Sequence, residues 1–270
     1  GIKVYNLGVS GETSNEIALR QGGIKMYVDN TFEVGYDDSV EVSIVDEYGN
    51  PVYMADFSAY GYVEPHEPDV VYINDDMFKI TGTEETGLYI CRYSETEVGG
   101  DAFTTVYEGT QVTTKASYER KGDILILEIG SNGGWDNYRQ LISQYDAMIQ
   151  NAGCDYYIIV GDTDDPGTSI ADTSQGFCNE DGTYIGVGDT AWEATLSEAY
   201  GEHFINMRTY LIENGLSDAG LRTTSADYRG FRRGRISKQL RSDWTHFNSY
   251  GYYAKGLAIY EKGVELGYWK

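Results

Sequence analysis

Asp123-Ile124-Leu125-Ile126-Leu127-Glu128-Ile129 is the stretch on which the fold reading turns. Five of its seven side chains are aliphatic, without the alternation of a half-exposed strand. Closed by Gly130-Ser131-Asn132-Gly133-Gly134, it reads as a strand covered on both faces, the habit of parallel sheets. Downstream, Leu141, Ile142, Tyr145, Met148 and Ile149 recur at helical spacing and predict a helix over about 136–151. A second buried strand is expected at 156–160, followed by a Gly/Asp/Thr-rich loop to about 188. A helix near 191–200, a third strand at 204–207, a helix at about 210–214 and a last helix over 249–266 complete the pattern. This alternation predicts an α/β fold, a three-layer α/β/α sandwich around a mainly parallel sheet.

Upstream the grammar differs. From about 24 to 118, Thr, Val, Tyr and Ile alternate with polar residues. Turn signals such as Tyr48-Gly49-Asn50-Pro51, Thr81-Gly82-Thr83 and Val98-Gly99-Gly100-Asp101 punctuate them. That pattern predicts a small inserted β-domain of mostly antiparallel strands. Residues 2–7 alternate as a short strand, and Thr13 or Ser14 can cap a helix over 15–21 that Gly22-Gly23 ends. The division expected is therefore 1–23 with 119–270 as an α/β domain, and 24–118 as an insertion.

Forty-three acidic against 20 basic residues leave a net charge of −23. Such a chain repels nucleic acid and anionic membranes overall. No apolar run is long enough to span a bilayer. The 25 tyrosines and the acidity suit an extracellular or cell-surface protein that handles glycans, although no signal peptide opens the chain. One basic run, Arg229-Gly230-Phe231-Arg232-Arg233-Gly234-Arg235, is read as a solvated loop holding nearby carboxylates or as a contact for an anionic substrate. Cys91, Cys154 and Cys178 are too few and too scattered for a disulfide framework or a zinc site, and Cys154 is expected in the core. No H-E-x-x-H, P-loop or G-x-G-x-x-G occurs, so no metal or organic cofactor is implied.

Three loops at expected strand ends carry the candidate chemistry: Gly8-Val9-Ser10-Gly11-Glu12-Thr13, Gly130-Ser131-Asn132, and Asp243-Trp244-Thr245-His246. Singly each has a bland reading. Asp243 is a helix N-cap and His246 a capping histidine; Asn132 is a turn residue and Gly11 a loop glycine. His66 and His203 read as surface or structural. Taken in order, the three blocks resemble those of SGNH-type (GDSL-family) ester hydrolases, over about 2–23 and 119–267.

The resemblance implies a Ser-His-Asp esterase or lipase acting on acylated glycans or small acyl esters. His246 would be general base, oriented by Asp243. The Gly11 backbone N–H and the Asn132 side chain would form the oxyanion hole. The family's Gly-Asp-Ser block, which supplies the nucleophile, is absent from the chain. By the resemblance it belongs before Gly1, with the first strand, or on a separate N-terminal polypeptide; Ser10 is the fallback within the chain. Asp37-Asp38-Ser39 lies on a polar turn of the β-rich segment and is a poor candidate. The alternative is a non-catalytic glycan-binding or surface protein on the same scaffold.

Overall fold

A computed structural model of the chain describes residues 2–35, 38–53, 70–93, 103–166 and 189–270. His66, Cys178, Asp37, the turn at 98–101 and most of the loop to 188 lie outside the described residues. The chain divides into two compact units, Lys3–Asp123 with Ser143–Cys154, and Ile124–Ile142 with Asp155–Lys270.

In the first unit, α1 (Ser14–Arg20) begins at a Thr13–Glu16 capping box, in which Thr13 N donates to Glu16 Oε2 at 2.7 Å. Period-2 alternation then builds strands with one buried face: β1 (Met26–Val28), β2 (Phe32–Val34), β3 (Val40–Val42) and β4 (Ile44–Asp46). These are followed by β5 (Val70–Ile73), β6 (Asp76–Thr83), β7 (Gly87–Arg92), β8 (Thr104–Val106), β9 (Gln111–Thr114) and the short α2 (Lys115–Glu119). Seven strands form one sheet in the order β3-β7-β6-β5-β9-β1-β4, every pair antiparallel, while β2 and β8 form a separate pair. Its core is aliphatic and aromatic, with Val34, Val71, Phe78, Ile90 and Val106 fully buried.

In the second unit, β10 (Leu125–Leu127) is followed by α3 (Tyr138–Ala152), which from Ser143 belongs to the first unit. Then come β11 (Tyr157–Val160), α4 (Ala191–Tyr200), β12 (Phe204–Ile205), α5 (Met207–Glu213), α6 (Gly215–Asp218), α7 (Ser225–Phe231) and α8 (Ser249–Glu265). The three strands are parallel in the order β10-β11-β12, with Leu125 opposite Tyr157 and Ile159 opposite Phe204. Ile158 and Val160 pack against Met207, Leu211, Leu240, Phe247 and Ala254.

The expected three-layer sandwich on a mainly parallel sheet is overturned. The dominant sheet is antiparallel, seven-stranded and curled into a nearly closed, barrel-like form, and parallel pairing among the described residues is confined to three short strands. Alternating strands joined by tight turns, as at Asp46–Asn50 and Asn74–Asp75, pair with their chain neighbours; no crossover helix intervenes to make them parallel. The strand expected at 2–7 is also absent. With no partner ladder, Ile2 and Val4 stay 55% and 79% exposed, and Tyr5 is held instead under the Arg120 guanidinium, 3.5 Å from the ring centroid. No helix among the described residues is long and apolar enough to cross a membrane.

Candidate functional site

The second unit gathers polar loops beyond the carboxyl ends of its parallel strands, where α/β sheets commonly present reactive groups. After β10 the chain turns at Gly130, whose φ of 108° is left-handed and whose missing Cβ would lie 2.9 Å from Trp192 Cζ2. Both facts demand glycine there. The turn closes through Gly133 N to Gly130 O (3.0 Å), while Trp135 Nε1 donates to the same carbonyl (2.9 Å). Ser131 is thereby placed to donate its hydroxyl to Asp162 Oδ1 at 3.0 Å, just after β11. Lost hydration and the neighbouring Asp164 carboxylate push Asp162 up to about 7, even though Ser131 and the Asp164 N–H both bond to it.

A third loop, 241–248, is clamped at both ends. Arg241 and Phe247 form a β-bridge, and Ser242 N donates to His246 O at 2.9 Å. Arg241 donates to Thr163 O (2.5 Å) and Thr245 O (3.0 Å), tying this loop to the one after β11. Asn248 caps α8, accepting from Tyr250 N and Gly251 N, and its amide donates to Gln239 O and Arg241 O. Lys255, nearly two turns into α8, pairs with Glu128 just after β10.

Within this clamp Asp243 Oδ1 accepts from Thr245 N (2.8 Å) and His246 N (2.7 Å), while Oδ2 meets His246 Nδ1 at 2.8 Å. The backbone and ring donors of His246 hold the Asp243 carboxyl down at about 2. Asp243 is thus not the helix N-cap, which is Asn248; it caps its own turn and the imidazole. A neutral ring so held carries its proton on Nδ1 and presents the Nε2 lone pair outward. Among the described residues no hydroxyl donates to Nε2.

Asn132 is exposed on the turn after β10, next to Ser131. Gly11 belongs to the first unit, exposed and left-handed at φ 84°, and is followed by a buried Glu12–Arg20 ion pair. Ser10 is exposed in the same loop. His203 has a structural setting: its ring stacks on Tyr157 at 4.3 Å, and Nδ1 meets Tyr268 Oη at 2.8 Å. Cys154 is half-buried rather than in the core. No group of three His, Cys, Asp or Glu side chains suited to a metal ion occurs among the described residues.

Sequence reasoning missed Asp162 and Arg241. The first had a usable signal, an acidic residue two positions beyond a fully apolar strand. The second had none, since bonds to backbone carbonyls leave no trace in the sequence. Compared with protein-family models, with curated proteins and with solved structures, the chain matches none.

Proposed function

We propose that the protein is an ester hydrolase in which His246 is the general base and Asp243 orients it. The carrying observation is the 2.8 Å contact between His246 Nδ1 and Asp243 Oδ2 in a clamped loop, with Nε2 left outward. In acyl transfer Nε2 takes the proton of a serine hydroxyl as that oxygen attacks the ester carbonyl. It returns the proton to the departing alkoxide, and water then repeats the sequence on the acyl-serine. The Asn132 amide is the oxyanion donor that the motif order assigns within the second unit. The reading rests on that order and on the Asp243–His246 geometry, not on a sandwich fold. An acylated glycan at the cell surface or outside the cell is the substrate that acidity and tyrosine content favour.

A second reading, a non-catalytic glycan-binding protein, is supported by the lack of a described hydroxyl on Nε2. Hydrolysis of p-nitrophenyl acetate by the full protein separates the two. Activity should fall by roughly 10³-fold or more in His246→Ala, and also in Asp243→Asn, whose amide favours the wrong imidazole tautomer. Ser10→Ala tests the one serine of this chain proposed as nucleophile. A wild type without activity, or activity indifferent to His246→Ala, would refute the hydrolase reading.

A further inference from the structure

One segment reverses the charge of the chain. Between 219 and 242 lie Arg222, Arg229, Arg232, Arg233, Arg235, Lys238 and Arg241 against the single carboxylate of Asp227, a net of +6 in a protein of −23. Where carboxylates outnumber cations two to one, exposed arginines should find acid partners. Yet Arg222, Arg229, Arg232, Arg233 and Lys238 are exposed and paired with no carboxylate among the described residues. Arg235 reaches Asp165 at 3.5 Å, and Arg241 reaches the same residue at 3.9 Å. Asp227 neutralises none of them: its oxygens accept from Thr224 N (2.7 Å), Ser237 Oγ (2.6 Å) and Gln239 Nε2 (2.9 Å). Among the described residues, the reading of this run as a loop that holds neighbouring carboxylates therefore applies only to Arg235.

The backbone presenting these cations is anchored. Arg233 N and Arg235 N both donate to Gly230 O, and Gly234 takes φ 66° to close the turn. Buried Arg208, paired with Glu193, donates to Gly234 O at 2.9 Å from beneath. The turn connects to the candidate site through Asp165, which touches both Arg235 and Arg241, and Arg241 holds the carbonyl of Thr245 beside His246.

We infer that this surface binds the carboxylates of an anionic, uronic-acid-type glycan and carries that polymer to the His246 loop. The inference names the substrate of the proposed hydrolase and rests on that reading for the word substrate. Guanidinium forks match carboxylates with two parallel hydrogen bonds, and all but one of these cations are arginine. Screening confines the acidic remainder to about 8–10 Å, so a local contact survives the net charge. The same net charge opposes the denser phosphates of nucleic acid and of anionic bilayers.

The test is equilibrium binding of the full protein to polygalacturonate, neutral galactan, duplex DNA and phosphatidylglycerol vesicles at low and moderate salt. The variant is Arg229→Gln/Arg232→Gln/Arg233→Gln, whose three side chains make no ion pair among the described residues; its thermal unfolding should match the wild type. Wild type should bind polygalacturonate in preference to the other three, with affinity falling as salt rises. The triple variant should lose roughly tenfold or more. Equal binding by variant and wild type, no binding of polygalacturonate at low salt, or preference for galactan, DNA or vesicles would overturn the inference. Binding is read without turnover, so an inactive protein that still binds would sink the hydrolase reading alone.

Discussion

Replacing Glu193 with leucine removes the partner of a buried cation. Arg208 is 1% exposed and donates from Nε to Glu193 Oε1 (2.7 Å) and from Nη2 to Oε2 (2.6 Å). It also donates from Nη1 to Gly234 O at 2.9 Å. A guanidinium cannot shed its proton, so Glu193→Leu strands a charge in the core, at about 3–5 kcal/mol. Glu193 also accepts from Thr190 N (2.7 Å) as the third residue of the α4 capping box, and losing that bond adds roughly 0.5–1 kcal/mol. The expected sum, about 4–6 kcal/mol, rivals the 5–15 kcal/mol that holds an ordinary domain together. Pairing the change with Arg208→Met should restore most of it, because an apolar pair of similar volume replaces the ion pair at little net cost. About 1–2 kcal/mol should stay lost with the cap and the Gly234 bond. Urea unfolding by circular dichroism gives the totals. Hydrogen exchange at α4 and α5 amides assigns them to the second unit, a step that two compact units make necessary. A single variant that loses under about 1 kcal/mol, or a double variant no better than the single, would refute the reasoning.

Gly251→Ala sets helix propensity against packing. Alanine gains about 1 kcal/mol inside α8, but its Cβ would stand 2.2 Å from Leu240 O, a carbonyl pinned by Asn248 N, and 2.5 Å from Phe247 Cδ1. Overpacking of this kind costs about 1–3 kcal/mol, so a lower unfolding midpoint and a weakened His246 loop are expected; a variant as stable as wild type would contradict this. Asp162→Asn tests a pH dependence. Because Asp162 is raised to about 7, its protonated form favours the folded state; that contribution is present below about pH 4 and is lost as pH climbs through 7. The amide still accepts from Ser131 but cannot ionise, so urea midpoints should agree near pH 4 and favour the variant at pH 8. Equal pH profiles would count against it.

Local elements were largely legible. Thr13 or Ser14 as cap and Gly22-Gly23 as stop announced α1, and Asn248-Ser249 opened α8 where the helical pattern began; the apolar run at 125–127 announced a strand, but not one covered on both faces, since Leu127 is buried while Ile126 is 42% exposed. Within the site, Asp243 and His246 could be paired from sequence because three residues of chain suffice to bring them together. Ser131 with Asp162, or Arg241 with Thr163, could not, since 31 and 78 residues separate them and only strand order brings them near.

By itself, then, the sequence determined what short-range chemistry controls: caps, turns, the period of each strand and the sign of each surface stretch. Whether alternating strands at 26–114 formed a minor insertion or the dominant sheet depended on which ladders closed on one another. Whether residues 2–7 made a strand depended on a partner edge, which a run of six alternating residues cannot supply for itself. Pairing between distant strands and the burial of Arg208 against Glu193 are properties of the packed chain, because hydrogen-bond partners and lost hydration come from residues far away in sequence.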